Sequence, residues 1–356
     1  MKILYDYQAF IQRIGGVSRY HAELIKNFPN EAESMLPPIL SDNVYLREMG
    51  IKHRQFMPNY NGRRKYDVYK ALNIIQSRWW LATKNCDIFH PTFFNPYFVG
   101  HCKKPVVVTM HDLNHWKYPE LTVKAGIVQQ KERAICNVAS HIIAISEETK
   151  EDLMRYIEIP EKKITVIYHG IDQELTVCHE KPLVEYPYLL YIGGRSGYKN
   201  FKIFLQAFVK VDKRVNLVCT GGAFSTEEME MIASLDLANR VCQMFVCDND
   251  LNNLLCNAIA FVYPSLAEGF GMPILEAFRC NCPCIISDIK CFHEVAGDAA
   301  CYLNPQSPED MATVINNTIY NETKIQKMRK RGIERMKEFS WKKTANETLH
   351  VYTSLM

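Results

Sequence analysis

Short apolar runs alternate with longer stretches of helical spacing along the whole chain. KILYDY (2–7), DIFH (87–90), PVVVTMH (105–111), HIIAIS (141–146) and ITVIYH (164–169) are apolar and of strand length. VSRYHAELIKNF and the stretches 122–139 and 147–157 repeat their apolar residues with helical period. Strands separated by helices in this way predict a parallel sheet covered by helices. KPLVEYP (181–187) carries two prolines and reads as a linker, after which the pattern restarts. YLLYIGG (188–194), NLVCTGG (216–222), VCQMFV (241–246), AIAFVYP (258–264) and PCIIS (283–287) are each followed by Gly, Pro or polar residues and a helical segment. The expected organisation is two α/β domains, 1–180 and 181–340, then a helix at 341–356 that packs back on the first domain.

Composition changes this picture little but narrows the function. A chain of 356 residues suits two domains of ordinary size. Hydrophobic residues make up 47% and charged residues 23%, which is ordinary for a globular protein. No apolar run reaches the ~20 residues that span a bilayer. The N-terminus, MKILYDYQAF, lacks a basic region followed by an apolar stretch and a small-residue cleavage site. The expected location is the cytoplasm. The 13 cysteines have no framework spacing and are expected to be mostly reduced and buried. In the dense group CNCPC, a strand would point Cys282 away from Cys280 and Cys284, and no CxxC pair or histidine cluster completes a metal set. A net charge of +3 is too mild to argue for nucleic acid.

Ligands of open parallel sheets bind at the carboxyl ends of the strands, so the loops after the runs are the places to look. In SLAEGFGMPILEAF (265–278), Gly269 and Gly271 allow close backbone approach to a ligand, and Pro273 fits the first turn of a helix. That puts a helix N-terminus, with its free N–H groups and positive dipole end, at the ligand. Glu268 precedes the helix and Glu276 lies one turn in. Two such carboxylates suit a polyol such as a nucleotide sugar. Taken alone, the pair is equally well explained by a Glu276 that complements the helix dipole and a solvated Glu268. The third glycine of a dinucleotide fingerprint is missing, because position 274 is Ile. In YIGGRSGYKNFKIFLQAF (191–208), Arg195 and Lys199 flank a turn, and Asn200 starts a helix whose buried face is Phe201, Phe204, Leu205 and Phe208. Two cations beside a helix N-terminus suit a diphosphate; a pair of surface cations is the plainer account. His111 lies just past its apolar run and Asp112 follows, with His115 nearby. FHPTFFNP (89–96) ends another strand. In SEETKEDL (146–153), Ser146 reads as an N-cap with Glu148 or Thr149 in the first turn. Finally, the stretch 59–84 holds Arg63, Arg64, Lys65, Lys70, Arg78 and Lys84 against a single acid, Asp67. Tyr66, Tyr69, Trp79 and Trp80 are interleaved. Such a segment either packs its tryptophans on the core or lies on an anionic membrane.

The loop GGRSGYKN, followed about seventy residues later by EGFGMPILE, resembles the retaining glycosyltransferases of family 4. Their hallmark E-x7-E is matched by Glu268 and Glu276. TGG after the 216–220 run and VCDNDLNNLLCNA (246–258) match as well, so the resemblance covers nearly the whole chain. It implies an α/β fold of the GT-B type, two Rossmann-like parallel-sheet domains facing across a cleft. The N-terminal domain would bind the acceptor and the C-terminal domain the nucleotide-sugar donor. The resemblance also implies Glu276 on the ribose hydroxyls, and Glu268 near the donor-sugar hydroxyls beside the N–H groups of Gly269, Phe270 and Gly271. Arg195 and Lys199 would hold the diphosphate, with Gly194 in the same loop, and 244–251 would pack on the base. Gly15 and Gly16 would form the loop that closes over the diphosphate, with Arg19 in reach, and His111 would lie close to the reacting sugar. HDLNHWKYPE is similar to segments of mannosyltransferases in bacterial surface polysaccharide assembly, a lean towards GDP-mannose.

The activity implied is transfer of a hexose from an NDP-sugar to a glycan or lipid-linked acceptor with retention of configuration. No metal or other cofactor is expected, because the cations and the helix N-terminus would stabilise the leaving diphosphate. Two alternatives share the fold or the ligand: a nucleotide-sugar 2-epimerase, and a non-catalytic sugar-nucleotide-binding protein.

Overall fold

A computed structural model describes residues 1–51, 53–55, 62–176, 178, 181–195 and 197–356. Among these the chain forms two compact units, Met1–Gly170 with Trp341–Met356, and Ile171–Ser340.

The first unit is built on parallel strands in the order Glu33–Met35, Lys2–Tyr5, Ile88–His90 and then Val107–Met110, His141–Ala144, Ile164–Val166. A parallel bridge between Phe89 and Val106 joins the two sets. Alternate residues of the same strands supply two cores. Leu4, Phe89, Val108, Met110, Ile142 and Ala144 pack in one, and Ile3, Tyr5, Ile88, Val107 and Ile143 in the other. Burial on both faces is why these strands read as unbroken apolar runs. The second core is completed by the helix Trp341–Thr353, through Val351 and Tyr352. Tyr352 Oη lies 3.1 Å from Tyr5 Oη, and Thr344 Oγ1 donates to Tyr168 O at 2.8 Å.

The second unit carries a parallel sheet in the order Val241–Met244, Asn216–Thr220, Tyr188–Tyr191, Ala260–Tyr263, Cys284–Ser287, Cys301–Leu303. Its first strand in sequence, Tyr188–Tyr191, sits in the middle. The next two strands build out to one side and the later three to the other. The point where the order reverses therefore lies between Tyr188–Tyr191 and Ala260–Tyr263, where doubly wound sheets open a ligand crevice.

The units divide at 170/171, ten residues before the expected 180/181. The segment after Gly170 is already tied to the second unit: Gln173 Nε2 donates to Lys337 O at 2.7 Å, and Thr176 N and Arg279 O are 3.0 Å apart. The proline-bearing stretch is thus internal to that unit. Strands not singled out from the sequence are Glu33–Met35, Cys301–Leu303 and the parallel pair Ile39–Leu40 and His53–Arg54. Each has two or three residues, too few to show a periodicity.

The basic aromatic stretch is the helix Arg63–Thr83; residues 59–61 lie outside the described residues. Its two tryptophans part company. Trp80 packs against the core, whereas Trp79 is 55% exposed. Lys65 turns inward to Asp42 at 2.6 Å, and Arg78 caps Tyr97 O. No described helix is long and apolar enough to cross a membrane.

The cysteines depart from the expectation at one pair. Cys178 and Cys256 form a disulfide, with Cα atoms 6.1 Å apart, in the usual range for such bonds. Cys280 and Cys282, at the turn before the strand Cys284–Ser287, and Cys284, its first residue, are buried free thiols, and no metal-holding group of three ligands occurs among the described residues. Alkylation of the denatured protein should modify eleven cysteines before reduction and all 13 after it. Thirteen before reduction would show the pair open.

Candidate active site

The two chemistry-bearing loops of the second unit leave adjacent strands. Leu189 pairs with Ala260 and Leu190 with Phe261, so the chain ends of Tyr188–Tyr191 and Ala260–Tyr263 emerge side by side. Leu266 N donates to Tyr198 O at 2.8 Å and zips the loops together. Asn200 is the pivot. It adopts a left-handed conformation (φ 61°) at the start of Phe201–Phe208, and its buried amide donates to Pro264 O at 2.9 Å and Pro305 O at 2.6 Å. This geometry delivers Lys199 to Glu268: Nζ and Oε1 are 2.6 Å apart, with the two side chains 24% and 10% exposed. Ser265 Oγ donates to the same carboxylate oxygen at 2.7 Å.

Gly271 caps the helix Met272–Arg279 with φ 105°. A Cβ there would stand 3.0 Å from Ile274 and Phe292, so both backbone and space select glycine. Phe270 is buried and packs edge-on against Phe339, with ring centres 5.8 Å apart; its side chain anchors the loop from below. Gly269 is buried beside it, and Glu276, half-buried, lies on the helix one turn beyond Gly271.

Arg195 points elsewhere. Its Nε lies 3.1 Å from Glu228 Oε1, its Nη2 donates to Gly222 O and Ala223 O, and its side chain is only 7% exposed. Glu228 also closes a capping box with Ser225 at the start of Thr226–Ser234. Arg195 therefore shapes the TGG loop instead of standing open as a phosphate ligand. Gly193 and Gly194 lead into it. Within 244–251, Phe245 is 75% exposed, a flat surface of the kind a base can stack on.

In the first unit, Gly15 caps the helix Gly16–Lys26. This helix carries Tyr20 to His111, which sits just past Val107–Met110. The rings meet edge to face, with centres 5.1 Å apart at 83°. His21, His90 and His169 complete a buried cluster around Tyr20. A hydrogen-bonded chain runs behind it. Tyr20 Oη lies 3.2 Å from Thr109 Oγ1, which lies 3.0 Å from His90 Nε2; His90 Nδ1 meets Tyr352 Oη at 2.5 Å. His111 is 9% exposed and its Nε2 has no hydrogen-bond partner. Sequence reasoning found His111 and missed the other three, which scatter along the chain and carry no local motif.

Two family models cover most of the chain end to end. "Glycosyltransferase Family 4" matches residues 14–175 and "Glycosyl transferases group 1" matches 179–337. The chain is 24% identical over 386 aligned positions, spanning both proteins fully, to O-antigen chain mannosyltransferase B of Escherichia coli. It is 28% identical over 213 residues to O-antigen chain mannosyltransferase RfbU of Salmonella typhimurium, covering 59% of this chain and 60% of that protein. Among solved structures, Anabaena HepE in complex with UDP-glucose superposes with a TM-score of 0.77 at 20% identity, covering all of both chains. With its parallel-sheet units and paired donor-type loops, the chain belongs to glycosyltransferase family 4 and has the GT-B fold.

Burial holds all four clustered histidines below their ordinary pKa, His90 at about 3 and His111 at about 4. The folded protein refuses protons that the unfolded chain takes up below pH ~6.5. The histidines' contribution to stability is thus complete above that pH and is lost as the pH drops towards 4, with His111 alone contributing on the order of 3 kcal/mol. A thermal midpoint unchanged between pH 7 and pH 5 would contradict this.

Proposed function

We propose that this chain is a retaining, metal-independent hexosyltransferase that moves mannose from GDP-mannose to a glycan or lipid-linked acceptor in cytoplasmic assembly of a surface polysaccharide. The observation that carries the reading is the pairing of Lys199 with Glu268 beside the glycine-capped helix, at the point where the sheet order reverses. The relatives named as mannosyltransferases support the sugar. The bound UDP-glucose of HepE supports a nucleotide-sugar donor in a fold of this kind.

In the resting site Lys199 and Glu268 neutralise each other. A donor offers both a better partner: its diphosphate takes the ammonium, and its sugar hydroxyls take the carboxylate. Glu276 accepts from the ribose hydroxyls. As the bond from the sugar's anomeric carbon to the phosphate oxygen breaks, negative charge collects on the diphosphate. Lys199 and the N–H groups after Gly271 face that charge, an electrostatic contribution of several kcal/mol. The acceptor hydroxyl bonds to the same face of the anomeric carbon, and its proton passes to the departing phosphate. Arg195 acts one step back, by holding the 221–223 loop. Neutral His111 is suited to accept or donate a hydrogen bond at the reacting sugar without adding charge.

For the acceptor, the helix Arg63–Thr83 supplies the supporting feature. Val68, Leu72, Ile75 and Trp79 are exposed at helical spacing along one side. Leu72, Ile75 and Trp79 border a groove of about 720 Å³ that also meets Pro38, Ile39 and Arg54. An apolar stripe with Arg64 and Lys70 exposed on the same helix and Lys84 exposed just past its end suits the surface of an anionic bilayer carrying a lipid-linked acceptor.

Lys199→Ala should lower turnover about ten- to a hundred-fold, since a charged hydrogen-bond donor is lost. Glu276→Ala should weaken calorimetric affinity for GDP. Near-wild-type turnover in the first, or unchanged affinity in the second, would remove that residue from the site. The protein should sediment with vesicles containing phosphatidylglycerol and stay in solution with neutral vesicles. Ile75→Glu with Trp79→Glu should abolish sedimentation; retention would exclude this helix as the contact.

A further inference from the structure

The loop that follows His111 holds a second set of polar groups that the donor chemistry does not use. Glu132 lies on the helix Ala125–Val138, and its side chain is completely buried. One carboxyl oxygen is fixed: Trp116 Nε1 donates to Oε2 at 2.8 Å. The other, Oε1, is buried without a hydrogen-bond partner and faces His115 Nδ1 at 3.6 Å. His115 Nδ1 is likewise buried without a hydrogen-bond partner, with Asp112 Oδ1 farther off at 4.0 Å, although 29% of the side chain is exposed. The buried amide nitrogen of Asn114 also has none.

The surroundings hold these groups in place. Gln129 Nε2 donates to His115 O at 2.7 Å, and Asp112 Oδ1 accepts from Asn114 N at 3.0 Å. The guanidinium of Arg133 covers the Trp116 ring at 5.0 Å. Burial pushes the Glu132 carboxyl up to about 8, against the Trp116 hydrogen bond and with help from the Asp112 charge, so at neutral pH it carries its proton. At 3.6 Å the acid stands just outside hydrogen-bond reach of Nδ1, and a few tenths of an ångström closer it would donate to that nitrogen. The ring then keeps its own hydrogen on Nε2, which becomes a donor of fixed direction.

We propose that Glu132 and His115 form a built acceptor-recognition pair, in which buried Glu132 orients His115 so that Nε2–H donates to a hydroxyl oxygen of the acceptor sugar. His115 is the residue that touches the acceptor and Glu132 is its positioning residue. Three groups left unsatisfied within one loop and its facing helix are costly unless something completes them. A hydroxyl-rich acceptor that closes the loop by a few tenths of an ångström supplies that completion. The inference rests on the transferase reading and adds to it the side chains that meet the acceptor.

The test measures transfer from GDP-mannose to octyl glycosides by the full chain, with the acceptor KM separated from kcat, beside calorimetric binding of GDP. His115→Ala should raise the acceptor KM about tenfold with GDP affinity unchanged. Glu132→Met should do the same. Glu132→Gln, whose amide offers Nδ1 a hydrogen just as the protonated acid does, should stay close to wild type. An unchanged acceptor KM in His115→Ala, whose partly exposed side chain is safe to truncate, would overturn the proposal even if Glu132→Met fails to fold. A Glu132→Gln protein as impaired as His115→Ala would overturn the protonated-acid assignment. Wild type that binds GDP but saturates with no octyl glycoside would overturn the sugar-hydroxyl assignment. Wild type that binds no GDP would instead defeat the GDP-mannose reading.

Discussion

Parallel pairing of Tyr188–Tyr191 with Ala260–Tyr263 is the constraint on which the donor-side chemistry depends. These strands are distant in sequence yet adjacent in the sheet, and both run the same way. Their carboxyl ends must therefore open side by side. Everything polar in the site follows from that: the loop zipper at Leu266 and Tyr198, the Asn200 amide that ties both loops to Pro305, and the Lys199–Glu268 pair. An ion pair this little exposed does not add much stability by itself, because desolvation offsets most of the attraction. Its value is in placement. It keeps a cation and a carboxylate, each wanted by a different part of a nucleotide sugar, within one hydrogen bond of each other.

The same sheet explains what could be read from the sequence. Strands buried on both faces show as unbroken apolar runs, so the central strands of both units were legible. The three-residue strands at the sheet edges, Glu33–Met35 and Cys301–Leu303, were not, because three residues cannot display a period. The unit boundary was misplaced because prolines mark a turn in the chain without saying which unit holds it. Hydrogen bonds from Gln173 and Thr176 settle that, and they are visible only in three dimensions.

At the site, the types of residue were legible and their partners were not. Lys199 and Arg195 are four apart in one loop and looked alike. One faces Glu268; the other is turned into the backbone of a neighbouring loop by Glu228, a residue with no motif of its own. Glu132 is a different kind of omission. Its helix was recognised, and it stands three and four residues before Ile135 and Cys136, which are fully buried. An acidic side chain in register with a buried apolar stripe is a signal that the sequence did contain.

The helix Trp341–Thr353 belongs to the unit that opens the chain, yet it is translated after the whole of the other unit. On the ribosome, Ile171–Ser340 is a continuous stretch that can close on its own. The first unit cannot: until residues 341–356 emerge, Tyr5 and His90 lack Tyr352, and one face of its sheet lacks its cover. The nascent first unit must wait, partly uncovered, for about half the chain to be made. The order of synthesis therefore leaves the histidine cluster without Trp341 and Tyr352 until the second unit has been made.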